Sequence, residues 1–396
     1  MDSTNNNNLN KGKNIIFKNQ KNLIDNYQIS SYNQYISRNI EFISTFEIYY
    51  LKNIKKSFYI AFPQNNEEGL LKIVKYNYIS HKNEEIYTLK NQFYIRKIKY
   101  FYEPLTQKEY LFIGSEEGLF IFLIKNEKEY ELIDSVIKEG KTGGFCSRRA
   151  IIPIYNFEII YDKFEKKSYL IVLYSYRCGC ITKKNETLIY KFQEKEINLI
   201  KEFSYISHKK RGLLLLYEDN YRQKIYLITY KDKILRYIEI SVSDKKKKKK
   251  GHKNCDDLPN LFSTGQELKN LDISTMETLY EYGCIVPYRE KDLLFLCNEY
   301  GHLLIIDLVQ KRFIDNLHLN FNINSVINFC NNKIIFGSRK SFLIFDIDTR
   351  KIISNYEYDY GKDCYLISVK KFVSEEDNFY SLIIDYSDSK IRLFYL

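Results

Sequence analysis

Seven times along the chain, two short apolar runs are joined by a polar turn. This repeat restricts the possible folds more than any other feature. The pairs are Phe58–Phe62 with Leu70–Tyr76, Glu109–Ser115 with Leu119–Ile124, Ser168–Ser175 with Thr187–Phe192, and Lys224–Tyr230 with Ile234–Ile240. Three more follow: Asp292–Cys297 with Leu303–Leu308, Lys333–Gly337 with Phe342–Ile347, and Tyr380–Tyr386 with Ile391–Leu396. Each run has strand length and is rich in Ile, Leu, Phe and Tyr, so each pair reads as a β-hairpin. Another strand-like run precedes each hairpin: Ile40–Tyr50, Tyr94–Tyr102, Asn156–Tyr161, Leu213–Tyr217, Thr278–Val286, Ile323–Phe329 and Cys364–Val373. A shorter one follows at Tyr130–Ile137, Ile197–Phe203, Arg312–Leu317 and Lys351–Tyr356.

Four strands per unit, repeated without room for a helical domain, predict an all-β chain: a seven-bladed β-propeller of four-stranded antiparallel blades, closed by an N-terminal strand. Lys21–Tyr27 resembles the fourth strands Arg312–Leu317 and Lys351–Tyr356, and the last unit stops at Leu396 after its third strand. A segment within Asn14–Tyr27 would therefore complete the last blade and remove an open edge. Asn14–Phe17 also resembles a third strand, so that place in the last blade has two candidates. The expected core includes Leu111, Ile113, Leu170, Val172, Leu294, Leu296, Ile334, Phe336, Leu382 and Ile384, which alternate along their strands. Residues 1–13 form a polar lead expected to stay disordered, and residues 14–396 form one domain. A Lys-rich loop insertion falls at 243–259; its six consecutive lysines, Lys245–Lys250, repel one another and predict a solvated loop.

Gly301–Leu308, Ser341–Ile347 and Ser389–Leu396 give the chain its family likeness. They resemble the turn-plus-strand of the WD-repeat β-propellers. Asp307 and Asp346 match the Asp of that family's closing dipeptide. Ile306 and Phe345 stand where its Trp would be, in a chain that has no Trp at all. The Gly-His pair that opens such repeats is missing, and Gly301-His302 sits in a turn instead.

Sites of chemistry are sparse. The eight Cys fall partly inside apolar runs, as at Leu296-Cys297, and read as small buried hydrophobes. Cys178-Gly179-Cys180 and the His252, Cys255 pair lie in different units, short of the four ligands a structural zinc needs, so no metal is expected. His81 and His208 each lie beside a blade junction and read as loop-bonding residues. Gly140–Gly144 lacks the spacing of a phosphate loop, and Glu116 and Glu117 read as solvated turn residues. No catalytic residue and no cofactor is expected. Met1–Asn10 is polar and no apolar run has membrane-spanning length, so a cytoplasmic protein is expected, with the nucleus as alternative.

The expected function is a non-enzymatic protein–protein interaction scaffold, a subunit or adaptor in a larger complex whose partners are other proteins. The alternative is a propeller of the phosphoinositide-binding autophagy type, held on acidic lipids. The candidates for such anionic contact are Arg148 and Arg149, after Phe145-Cys146-Ser147, and Lys209, Lys210 and Arg211. Neither segment reproduces the Phe-Arg-Arg-Gly motif of that type: the first has Cys146-Ser147 inserted and Ala150 in place of the Gly, and the second has Lys209-Lys210-Arg211. The net charge of +11 is spread over many lysines, and no aromatic–basic alternation suggests a nucleic-acid partner.

Overall fold

The computed structural model describes residues 19–24, 46–52, 54, 57–64, 70–77, 80, 82–90, 95–141, 149–152, 154–178, 182–194, 196–207, 215–231, 234–240, 253–254, 260–263, 282–323, 325–330, 332–338, 341–357, 366–373, 379–385 and 390–395. Among them every regular element is a β-strand. Strand β1 (Asn19–Ile24) stands apart from its neighbours in sequence and is placed below. The first sheet is β2 (Glu47–Tyr49), β3 (Ser57–Gln64), β4 (Leu70–Asn77) and β5 (Lys82–Lys90). The next is β6 (Ile95–Glu103), β7 (Lys108–Ser115), β8 (Leu119–Asn126) and β9 (Glu129–Val136). A small hairpin, β10 (Glu139–Lys141) and β11 (Arg149–Ile151), separates it from β12 (Ile154–Asp162), β13 (Lys167–Cys178), β14 (Thr182–Gln193) and β15 (Glu196–Ser207).

Next come β16 (Leu215–Asp219), β17 (Lys224–Lys231) and β18 (Ile234–Glu239), joined at their edge by β20 (Asn260–Ser263). Strand β19 (Lys253–Asn254), from the intervening insertion, runs parallel to the outer edge of β15 at Phe203 and Ser204. The insertion expected as a solvated loop thus carries a short strand that covers part of a neighbouring sheet edge. The remaining sheets are β21 (Tyr282–Tyr288) to β24 (Arg312–His318), through β22 (Lys291–Cys297) and β23 (His302–Asp307), and β25 (Ser325–Cys330) to β28 (Lys351–Glu357), through β26 (Lys333–Gly337) and β27 (Ser341–Asp346). Last are β29 (Leu366–Val373), β30 (Phe379–Asp385) and β31 (Lys390–Tyr395), with β1 antiparallel to β31 from Asn19 opposite Tyr395 to Ile24 opposite Ile391. The third strand of this sheet is therefore β31, and Asn14–Phe17 lies outside the described residues.

First strands meet first strands: β2 contacts β6, β6 contacts β12, β16 contacts β21, β21 contacts β25, and β25 contacts β29. Sheets that touch through their first strands, each antiparallel and four strands deep, make a β-propeller of radiating blades. Where side chains are described, the blades stack face to face and middle strands are covered on both sides. That explains their continuous apolar runs, because successive side chains point to opposite faces. On β7, Leu111 and Ile113 join the layer against the β2–β5 blade, while Tyr110 and Phe112 join the layer against the β12–β15 blade. On β22, Leu294 and Leu296 face the β16–β18 blade, and Leu293, Phe295 and Cys297 face the β25–β28 blade. The eight described residues of the expected core, Leu111 through Phe336, are all buried, and so are the residues between them. Leu382 and Ile384 lie on β30, outside the described side chains.

One turn design recurs. Glu103, Asp162, Asp219, Asp307 and Asp346 each end a strand, and the next strand begins five residues later at Lys108, Lys167, Lys224, Arg312 and Lys351. The residue just before that cation has a left-handed backbone each time: Gln107, Lys166, Gln223, Lys311 and Arg350, with φ between 53° and 55°. In four of the five the carboxylate accepts from turn amides, as in Phe164 N to Asp162 Oδ1 at 2.9 Å and Thr349 N to Asp346 Oδ1 at 2.8 Å. In the fifth, Glu103 accepts from the Thr106 hydroxyl at 2.7 Å. An acceptor at the first position compensates the unpaired turn donors.

The β22–β23 connection, Asn298–Gly301, has a different design. Asn298 Oδ1 accepts from the Tyr300 and His302 amides, each at 3.0 Å, and Gly301 has φ +87°. A Cβ at Gly301 would sit 2.5 Å from the Phe321 carbonyl oxygen. Both the backbone angle and the close approach therefore require glycine. Gly301→Ala is expected to cost about 3 kcal/mol, read as a lowered urea midpoint with an unchanged slope.

Candidate functional site: a cationic cleft between two blades

In an antiparallel blade, first-to-second and third-to-fourth turns emerge at one rim, and second-to-third turns and blade-to-blade connections at the other. On the first rim, between the β21–β24 and β25–β28 blades, lies a cleft of about 520 Å³. The β21–β22 turn supplies Tyr288, Arg289 and Lys291; β24 supplies Arg312, Phe313 and Ile314; the β27–β28 turn supplies Ile347, Asp348 and Arg350. Leu293 and Ile305 complete an apolar floor. Four cations against one carboxylate give the lining a net charge of +3.

Two of the cations are already engaged. Arg289 Nη2 donates to Asp348 Oδ1 at 2.8 Å, and Asn332 Nδ2 to Asp348 Oδ2 at 3.1 Å. The Tyr288 hydroxyl donates to the same Oδ1. These bonds, Tyr288's first, hold Asp348 below its ordinary value, and Asp348 in turn raises Tyr288. Arg350 Nη1 donates to Asp315 Oδ2 at 2.7 Å. The Lys291 and Arg312 side chains face no carboxylate partner among the described residues.

Other clusters of titratable groups lie elsewhere in the fold. Around the axis, the first strands carry a charged cluster. Lys97 Nζ on β6 donates to Glu158 on β12 and to Asn156 Oδ1 at 2.8 Å, and Lys99 Nζ lies 3.2 Å from Glu158 Oε2. Burial would push Glu158 up, yet Lys97 and Lys99 outweigh it and hold it down at about 2. Lys99 is raised chiefly by Glu158, with Glu47 of β2 adding to it. This arrangement ties three blades together. On the first rim, burial pushes Asp292 up; the Tyr217 hydroxyl donates to it at 3.0 Å, and Asp219 and Asp307 stand near it. On the opposite rim, His302 and His318 face each other across β23 and β24 with ring centroids 4.5 Å apart. Burial and then His318 lower His302. No group of three or more potential metal ligands forms among the described residues. Cys297 is fully buried and its Sγ lies 3.6 Å from the Tyr282 carbonyl; burial raises its thiol and pushes that of Cys284 up to about 12, which favours the neutral thiol in both.

Of the anion-contact candidates, Arg149 is placed in β11, while Arg148, Lys209, Lys210 and Arg211 lie outside the described residues, as do His81, His208, His252, Cys255 and Lys245–Lys250. Glu116 is in the expected turn and pairs with Arg96 at 3.0 Å. The cleft leaves no local signal in the sequence, because its cations come from three separate turns. The recurring acid followed five residues later by a base would have pointed to Arg312.

No family profile matches the sequence, and no curated protein does. Solved structures do match. Sqt1 of Saccharomyces cerevisiae is 11% identical, with 89% of this chain and 96% of that one covered and a TM-score of 0.52. The CNH domain named AfRom2 is 10% identical, with 96% and 99% covered and a TM-score of 0.55. A chain of a mitotic checkpoint complex is 8% identical, with 100% and 97% covered and a TM-score of 0.55. The chain has a WD-repeat-like propeller fold. In this propeller Asp307 and Asp346, the two residues that matched the WD dipeptide, serve as turn caps: Asp307 Oδ1 accepts from Gln310 N at 2.9 Å. No helix among the described residues is long and apolar enough to cross a membrane.

Proposed function

We propose that this propeller is a non-enzymatic protein–protein interaction scaffold, a subunit or adaptor whose ring of seven blades is closed by β1. The cleft between the β21–β24 and β25–β28 blades carries the reading. It is concave, apolar at its floor and cationic at its mouth, and it is built on strands rather than on long loops. Such a site offers a rigid surface to a partner at small ordering cost. The pairing of β1 with β31 supports the closure, and the succession of first-strand contacts supports the ring.

The test is affinity purification of the tagged full chain from its own cells at physiological salt, with mass spectrometry and a mass measurement of the native complex. A stoichiometric protein partner is expected. A chain that runs alone, or that floats with phosphoinositide liposomes and loses this on changing Arg148 and Arg149 to Ala, would overturn the scaffold in favour of a free or lipid-bound propeller.

A further inference from the structure

We infer that the cleft receives an acidic peptide segment, one whose carboxylates meet Lys291 and Arg312 while a neighbouring apolar side chain enters against Phe313 and Ile314. This rests on the scaffold reading and names the chemistry of the partner at its site.

The charge inventory selects the ligand. Asp348 holds Arg289 and Asp315 holds Arg350, which leaves Lys291 and Arg312 as the cations without a carboxylate among the described residues. They begin β22 and β24, alternate strands of one sheet. A cation at the mouth of a cleft with low-dielectric walls attracts an anion more strongly than one on an open surface. The neighbouring Asp348 and Asp315 limit how much negative charge the site accepts, which favours one or two carboxylates over a polyphosphorylated group. Leu293, Ile305 and Ile347 are each less than 10% exposed, so the apolar floor is recessed. A flat bilayer cannot reach such a floor, whereas an extended chain with a protruding side chain can. The volume of about 520 Å³ suits a few residues of peptide.

The probe is a fluorescein-labelled peptide of alternating Glu and Leu, about a dozen residues long, titrated into the full-length protein. Controls are the same peptide with Gln for Glu, the same with Ser for Leu, and vesicles of phosphatidylcholine with one-fifth phosphatidylserine. The double variant Lys291→Ala/Arg312→Ala is expected to raise the Kd of the Glu–Leu peptide roughly tenfold, with an unchanged melting midpoint, and both control peptides are expected to bind more weakly. A variant that binds the peptide as the wild type does, or a Gln peptide that binds equally, overturns the inference. So does vesicle binding that depends on the two cations while the peptide is ignored. Purification of the double variant from cells separates this inference from the one it rests on. If its partner is retained, the scaffold stands and the cleft assignment falls. If neither form has a partner, the scaffold falls, and the peptide titration alone decides whether the cleft binds acidic chains.

Discussion

Removal of residues 1–28 is expected to unfold the protein rather than shorten it. Strand β1 pairs with β31 over its length, with a register shift between Asn22 and Ile24. Without it, β31 becomes an outer edge whose backbone donors and acceptors are unpaired, and in the closed seven-blade ring proposed above the last blade loses its link to the start of the chain. Blades share their apolar layers with neighbours, so loosening one blade exposes its neighbour's core face as well. The truncated chain should melt at a temperature lower by on the order of 10 °C or more, or aggregate on expression. Circular dichroism melting with size-exclusion chromatography reads this out. A truncation that melts at the wild-type temperature ends the closure argument.

Loss of the Glu158 carboxylate is expected to destabilise the fold through the two lysines it compensates. In Glu158→Leu, Lys97 and Lys99 stay close together at the axis with their shared counter-charge gone. Removing one partner from this partly buried ion cluster costs roughly 2 kcal/mol, because the remaining charges are left uncompensated while water screens them in part. Replacing both lysines by Met in the same chain should recover much of that loss, since an apolar cluster carries no desolvation penalty. The acid response follows from the direction of the shift. Glu158 is held at about 2 in the folded state and takes its ordinary value near 4.5 when unfolded. Its contribution is therefore full above pH 4.5 and is lost as pH falls from there toward 2. Urea unfolding of wild type and Glu158→Gln across that range should converge at low pH. Parallel curves would show that the cluster contributes nothing.

Elements are legible in the sequence where burial imposes a local pattern. Where side chains are described, second strands such as Lys108–Ser115 are buried on both faces and keep an apolar run, and the third strand Leu119–Asn126 keeps most of one. Outer strands leave a weaker trace. In β5, Lys82 to Glu85 are exposed, and the segment reads as a polar loop although it pairs along β4. Strand β20 is separated from its own blade partner by the insertion, so no spacing rule reaches it. The candidate site was illegible for a different reason. Adjacent basic residues such as Arg148 and Arg149 draw attention in a linear reading, whereas Lys291 and Arg312 come together only because β22 and β24 lie in the same sheet. The roles of Glu103, Asp162 and Asp219 could have been read from their fixed distance to the following lysine. The WD likeness drew notice only to Asp307 and Asp346.

The pairing of β1 with β31 also sets a timetable for biosynthesis. Strand β1 takes β31 as its partner, and the whole of the chain from Asp25 to Ser389 is synthesised between them. At ordinary elongation rates that wait is roughly 20–70 s, far longer than a hairpin needs to form. During it β1 has no edge to join. Its sequence, Asn-Gln-Lys-Asn-Leu-Ile, is polar for four of six residues, which keeps a waiting strand soluble and a poor seed for aggregation. The last blade can therefore be completed only once β31 has been made, however early the other blades form.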